Sequence, residues 1–82
     1  MMITFDSRFK YSPPINTYVA FGSVEGTRIE FRIAGEEVDD YHEPRGERLH
    51  INQVLAEIAC EVAVKSGWVA RHGVLAIRGY GE

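Results

Sequence analysis

Three histidines and a run of acidic residues are the side chains in this sequence that could bind a metal. His42, His50 and His72 lie eight and twenty-two residues apart. Zinc and iron sites place their ligands about two to four residues apart in defined pairs, such as two histidines on one helical face. Because the spacing differs, we expect exposed histidines in loops, and neither a metal nor any other cofactor.

The sequence gives no support for nucleophilic or phosphate-transfer chemistry. Four serines, Ser7, Ser12, Ser23 and Ser66, lie in predicted turns without a histidine at the spacing of a catalytic signature. The glycines mark turns and do not form a phosphate-binding fingerprint. The single cysteine, Cys60, falls within a predicted helix, where it is expected to act as a small buried hydrophobe. We therefore predict a protein that is not an enzyme, with no catalytic residues.

An acidic segment is the first candidate interaction surface. Five of the eight residues from 36 to 43 are acidic, namely Glu36, Glu37, Asp39, Asp40 and Glu43. The segment lacks the central glycine of an EF-hand loop, which argues against a calcium site. Two interpretations remain open: a docking surface for a basic partner, and a solvated helix face, which is favoured because acidic residues suit the start of a helix.

Arg28 and Arg32 form a second candidate surface. Together with Tyr18 they face outward if the apolar residues of the strand RIEFRIA face inward, since side chains alternate along a strand. Two arginines near an aromatic residue are typical of sheets that bind single-stranded nucleic acid. Glu30 lies between them, however, and a net charge of −3 argues against strong binding to phosphates. A weak nucleic-acid or nucleotide binder is therefore the alternative function, and nucleic acid is an unlikely partner.

Length and composition predict a single small globular domain that covers residues 1–82. The chain is 45% hydrophobic and 26% charged, as in ordinary globular proteins. No run approaches the roughly 20 apolar residues of a membrane span, and no charged and apolar leader precedes a cleavage site. One cysteine cannot form an internal disulfide. We expect a cytoplasmic protein without membrane contact.

The fold is predicted to depend on a helix from Leu49 to Gly67, in which apolar residues recur at steps of three and four. The predicted core face consists of Ile51, Val54, Leu55, Ile58 and Val62, widened by Ala59, and the predicted wet face consists of Gln53, Glu57, Glu61 and Lys65. Gly67 supplies a left-handed stop just after the helix. On this interpretation, replacing Ile58 with alanine should cost about 2 to 5 kcal/mol.

Short strands are predicted on both sides of this helix. They are Met2 to Phe5, Thr17 to Phe21, Arg28 to Ala34 and Val74 to Arg78. The middle two are expected to pair as an antiparallel hairpin with Val19 and Phe21 facing inward. Residues 36–41 predict a short acidic helix, and Trp68 is expected to close one end of the core. The predicted fold class is therefore α+β: an antiparallel sheet of three to four strands packed on one long helix, plus the short acidic helix.

The order of these pieces resembles a family of small bacterial proteins. The matching segments read ITF then D, VAF, EGTRIEFRIAGEEVDDY, INQVLAEIA and HGVLAIRG, and the family is domain-of-unknown-function family 1488. The resemblance spans nearly the whole chain, although the stretch with Pro13 and Pro14 departs from the family pattern. It implies a β-hairpin, a helix and a closing strand in a bacterial cytoplasmic protein, and it supplies no catalytic or binding residues.

Taken together, these features predict a non-catalytic protein-interaction module with an unknown protein partner. The acidic segment or an open sheet edge would provide the contact. Neither terminal strand carries a charge before its last residues, so each is a poorly protected edge. We therefore expect either a monomer or a weak homodimer formed by strand addition.

Overall fold

The computed structural model describes residues 2–35 and 51–77, which form a sheet with a helix packed on one face. The strands are β1 (Ile3–Phe5), β2 (Lys10–Ser12), β3 (Thr17–Val24), β4 (Thr27–Ala34) and β5 (Val74–Ile77), and the helix is α1 (Gln53–Lys65). A 3-10 turn, Pro13–Ile15, joins β2 to β3. The α+β class is confirmed. The short acidic helix predicted at residues 36–41 lies outside the described residues.

The described sheet has five strands and is mixed, so the predicted antiparallel sheet of three to four strands is wrong in both respects. The order is β1-β3-β4-β5, and β2 pairs with β3 along the same side as β1. All neighbours are antiparallel except β4 and β5, which are parallel. The helix lies between β4 and β5 in the chain, and a crossover of this kind returns the next strand in the parallel direction.

β3 and β4 form the predicted hairpin. Their register pairs Ala20 with Phe31, and the strands continue to the pair Val24 and Thr27. Glu25 and Gly26 fill the two-residue turn with φ angles of 51° and 83°. Positive φ at both positions is the geometry of a type I′ turn, which matches the twist of the flanking strands.

The inward-facing residues of β3 differ from those predicted. Tyr18 and Ala20 are fully buried, whereas Phe21 is 39% exposed and Val19 lies on the same outward face. The expectation that Val19 and Phe21 face inward, with Tyr18 outward, is therefore wrong. The segment TYVAF is apolar or aromatic at nearly every position, so its own pattern does not choose between the two faces, and a shift of one residue exchanges them.

The helix packs on the sheet through its smallest side chains. Its buried residues are Ala56, Ala59, Cys60 and Ala63. They join the core cluster with the large residues of the sheet, among them Tyr18, Phe31 and Ile33. Short side chains on the helix complement the large ones on this sheet face, because protein interiors fill to a nearly constant density.

The larger apolar side chains of the helix point away from this core. Val54, Leu55, Ile58 and Val62 are 65%, 42%, 47% and 48% exposed. The predicted core face is therefore wrong for these four residues, and it holds for Ala59 and for Ile51, which is buried just before the helix. Periodicity detects an apolar stripe, but α1 has two of them on different sides.

The start of α1 is fixed by two polar side chains. Asn52 caps the helix, because its Oδ1 accepts a hydrogen bond from the Leu55 amide at 3.2 Å. Gln53 Oε1 accepts from the Phe9 amide at 2.9 Å, which ties the chain between β1 and β2 to the helix. Gln53 is therefore half-buried, whereas the sequence predicts that it faces water. The helix ends at Lys65, and Gly67 has the expected left-handed angle, φ 95°.

Aromatic contacts complete the core below the helix. The ring centroids of Phe5 and Phe31 lie 4.9 Å apart, and those of Tyr11 and Tyr18 lie 5.0 Å apart. Tilted pairs at such distances add to the free energy gained from burial alone. Trp68 packs against the cluster from the segment after the helix, where the sequence places it.

Substitutions on the two faces of α1 should destabilise the protein to different degrees. Replacing the fully buried Ala56 with leucine should lower the free energy of unfolding by about 1 to 3 kcal/mol, because it overpacks the contact with the sheet. Replacing Ile58 with alanine should cost less than about 1 kcal/mol, because roughly half of that side chain already contacts water. Urea unfolding followed by Trp68 fluorescence measures both values. The reverse order would show that the core lies on the other face.

Candidate interaction surfaces

The first candidate surface is an apolar ridge on the outer side of α1, which we define as Val54, Leu55, Ile58 and Val62. Three of these residues recur every four positions and so form one row along the helix. All four side chains are at least 42% exposed. Single exposed apolar residues are common, whereas large apolar residues grouped on one exposed face are a feature of interaction sites.

Charged residues border one side of the apolar ridge. Gln53, Glu57, Glu61 and Lys65 form the neighbouring row along the helix. The Gln53 side-chain amide donates to a carboxylate oxygen of Glu57 at 2.8 Å, which holds that glutamate in place. On the other side of the ridge, Ala59 is buried against the sheet. The polar border therefore follows one side of the ridge, and the core follows the other.

The second candidate surface is the face of the sheet opposite the helix. Arg28 and Arg32 lie there as predicted, and the exposed aromatic residue beside them is Phe21 rather than Tyr18. The guanidinium carbon of Arg28 lies 5.5 Å from the centroid of the Phe21 ring, a cation–π distance. Arg32 donates from Nε to the carboxylate of Glu30. The arginines are thus held in place on this face by different partners.

Pairing across the strands adds a third cation to this face. Lys10 of β2 pairs with Val19, which pairs in turn with Arg32 of β4. Residues opposite each other across strands share a face of the sheet, so Lys10, Val19 and Arg32 form one row. Strict alternation in β4 predicts the arginines from sequence. The position of Phe21 on this face follows only from the pairing register of β3.

The β5 edge of the sheet is partly covered. Arg71 and Val74 exchange two backbone hydrogen bonds, of 2.8 and 3.0 Å, around His72 and Gly73. These two turn residues have φ angles of 54° and 76°, which again is the geometry of a tight hairpin turn. The outward backbone groups of Val74 are therefore already paired within the chain, so the first residue of β5 is closed to a further strand.

The opposite edge is interrupted. The amides of Asp6 and Ser7 both donate to the Phe21 carbonyl, at 2.7 and 3.3 Å, so two residues oppose one between β1 and β2. Such a bulge bends an edge and ends regular pairing. Both edges thus carry features that natural sheets use against strand addition. The expected homodimer by strand addition stays a prediction, and the geometry of these edges does not favour it.

Two open grooves flank β5. One, of about 500 Å³, is lined by Arg32, Trp68, Val69, Arg71, Val74, Leu75 and Ala76. The other, of about 260 Å³, is more apolar and shares Trp68, Val69 and Leu75 with the first. Among the described residues, Arg32 and Arg71 are the ionisable groups of the larger groove, and the smaller groove has none. This lining can bind an anion or an apolar group, but it supplies neither a nucleophile nor a general base.

The acidic candidate residues cannot be placed in this geometry. Glu36, Glu37, Asp39, Asp40 and Glu43 lie outside the described residues, as do His42 and His50. His72 is exposed in the turn before β5. Within residues 2–35 and 51–77, no three histidine, cysteine or acidic side chains come together in a way that could hold a metal ion.

Cys60 is buried under the helix, as expected. Burial raises the pKa of its thiol from 9.0 to about 12, and the nearby carboxylates of Glu57 and Glu61 add to this effect. The folded protein therefore holds the thiol proton more tightly than the unfolded chain does. The corresponding stability is complete below pH 9 and is lost as the pH rises towards 12.

Cys60 should therefore react slowly with a thiol reagent at pH 8. With a pKa of about 12, only about one thiol in ten thousand is ionised at that pH, and the side chain is also inaccessible. In urea the reaction should become fast. A Cys60→Ala, Ser66→Cys variant carries an exposed thiol and is the control that reacts immediately. Fast reaction of the native wild type would contradict the buried placement.

Within the described ranges, no helix has the length and apolar character needed to cross a bilayer. Comparison with known proteins finds no family model, curated protein or solved structure that matches the chain. The resemblance to domain-of-unknown-function family 1488 therefore stays a prediction.

Proposed function

We propose that this chain is a non-catalytic protein-interaction module of the bacterial cytoplasm, and that it docks through the apolar ridge of α1. The observation that supports the proposal is the exposure of Val54, Leu55, Ile58 and Val62 on one helical face. The sequence places large apolar residues outside and alanines inside. Folding alone does not require large apolar side chains at exposed positions.

The chemistry of the apolar ridge suits a protein partner. Burying apolar area contributes about 25 cal/mol per Å², so a patch of a few hundred Å² supplies several kcal/mol before the costs of association. The ridge has an apolar centre and a charged border, the anatomy of many protein interfaces. It also lies on a rigid helix that is capped at Asn52, so little conformational freedom is lost on binding.

The acidic segment remains part of this proposal as an electrostatic contribution. Its five carboxylates, together with a net charge of −3, favour encounters with basic partners. Such long-range attraction raises association rates more than it raises affinity. The ridge would then provide the short-range contact.

A photo-activated cross-linking residue placed at Ile58 tests the proposal in cells. We expect a discrete cross-linked protein product, because this position lies at the centre of the ridge. Thr27 is also exposed but begins β4 far from α1 in the chain, so the same cross-linker at Thr27 is the matched control. The proposal fails if Ile58 gives no product, or the same products as Thr27.

The alternative function is weak binding of single-stranded nucleic acid by the open sheet face. One observation favours it: Phe21 is exposed, is contacted by Arg28, and lies on the face that carries Lys10 and Arg32. An aromatic ring among cations can stack on a base while the cations contact phosphates. Glu30, which pairs with Arg32, weakens this attraction.

Fluorescence anisotropy with a labelled oligothymidine tests this alternative. Binding should weaken steeply as salt increases, because phosphate contacts release counterions. Phe21→Ala should weaken it by about 1 to 3 kcal/mol, the range for one stacked base, whereas Phe21→Tyr should preserve it. Equal binding by the wild type and Phe21→Ala would exclude this face as the site.

A further inference from the structure

We infer that the larger groove beside β5 is a binding site for a small organic oxyanion, that is, a carboxylate or a phosphate joined to an apolar body. Arg71 and Arg32 bind the anionic group, and Trp68 contacts the body. None of the described residues that line this groove belongs to α1. The site is therefore separate from the apolar ridge and goes beyond the proposed function.

The two arginines reach the groove from opposite sides of β5. Arg32 of β4 pairs with Ala76, and Arg71 pairs with Val74 across the other edge of the strand. Paired residues share a face of the sheet, so both arginines lie on the face away from the helix. Their backbones are two strand spacings apart, about 10 Å. Two long side chains can close a gap of this size around an anion, and both line the groove.

Both guanidinium groups keep donors for a ligand. Arg71 is exposed, and within residues 2–35 and 51–77 its side chain has no hydrogen-bond or ion-pair partner. Arg32 uses Nε for the carboxylate of Glu30, which leaves its two terminal nitrogens as donors. Arginine binds carboxylates and phosphates through pairs of charge-assisted hydrogen bonds. The charged part of the lining therefore matches an oxyanion.

The backbone of β5 adds a further donor. Alternate residues of a strand direct their backbone groups to the same edge, and those of Val74 bond to Arg71 at the outer edge of β5. The N–H of Ala76, two residues further on, therefore points to this edge, where Ala76 lines the groove. Among the described residues it has no acceptor. A backbone N–H without a partner gains a hydrogen bond when an oxyanion enters.

The rest of the lining is mainly apolar. Trp68 and Val69 come from the segment between α1 and β5, and Val69 is 78% exposed. Trp68 is half-buried and also lines the second, more apolar groove. The volume of about 500 Å³ falls within the range of small-molecule sites, roughly 300 to 1,000 Å³. Such sites combine an apolar lining with a few polar groups that orient the ligand, as this groove does.

Titration of ¹⁵N-labelled protein with phenyl phosphate, followed by NMR at constant ionic strength, tests the inference. We expect saturable shifts of the Ala76 amide and the Trp68 indole N–H, because these groups contact the anion and the body. Benzoate replaces the phosphate by a carboxylate. Saturable binding of either ligand supports the site, and the tighter of the two identifies the anionic group. Inorganic phosphate, which lacks the apolar body, should bind more weakly than phenyl phosphate.

A pair of arginine variants tests which residues bind the anion. Arg71→Gln should raise the Kd for phenyl phosphate at least about tenfold, because it removes a charge-assisted hydrogen bond. Arg28→Gln is the matched control. It makes the same change of charge on the same face of the sheet, but Arg28 contacts Phe21 and does not line the groove. Arg71→Lys should keep part of the affinity, because it retains the charge without the planar fork.

Four results would overturn the inference. The first is the absence of saturable shifts at Ala76 and Trp68 with both ligands up to about 10 mM, a concentration above the range of weak complexes. The second is an equal loss of affinity in Arg28→Gln and Arg71→Gln, which would show a response to overall charge. The third is equal affinity for inorganic phosphate and phenyl phosphate, which would remove the apolar contact. The fourth is a set of shifts confined to α1.

Discussion

The contact between the small residues of α1 and the large residues of the sheet is the constraint on which the rest of this structure depends. Alanines and Cys60 share one buried cluster with Tyr18 and Phe31, and the buried stripe of the helix is narrow. The helix contributes its smallest apolar side chains to the core, and its exposed face carries larger ones. The candidate surface is therefore a direct consequence of how the core is filled.

Much of the fold could be predicted from local pattern, because β4 alternates strictly and α1 has a helical period. The direction of β5 could not, since the apolar segment VLAI pairs equally well either way and the crossover decides. The side of the sheet that Phe21 occupies was also undetermined, because the segment TYVAF lacks alternation and only its pairing with β4 fixes the register.

The candidate surfaces were predicted in part. Arg28 and Arg32 follow from alternation in one strand, whereas the apolar ridge was detected as a stripe and assigned to the wrong side of the helix. A periodic pattern reports that a helix has an apolar face, but the identity of the inner face depends on the volume available beside the sheet. That volume is a property of residues distant in sequence, such as Tyr18 and Phe31.

The turn at His72 and Gly73 has a consequence for how far association can proceed. Because Arg71 occupies the outward groups of Val74, a strand from another molecule cannot pair with the first residue of β5. Contacts that add strand to strand have no natural end and can grow into fibres. The turn at His72 and Gly73 therefore limits such growth at the start of β5, where the chain pairs with itself.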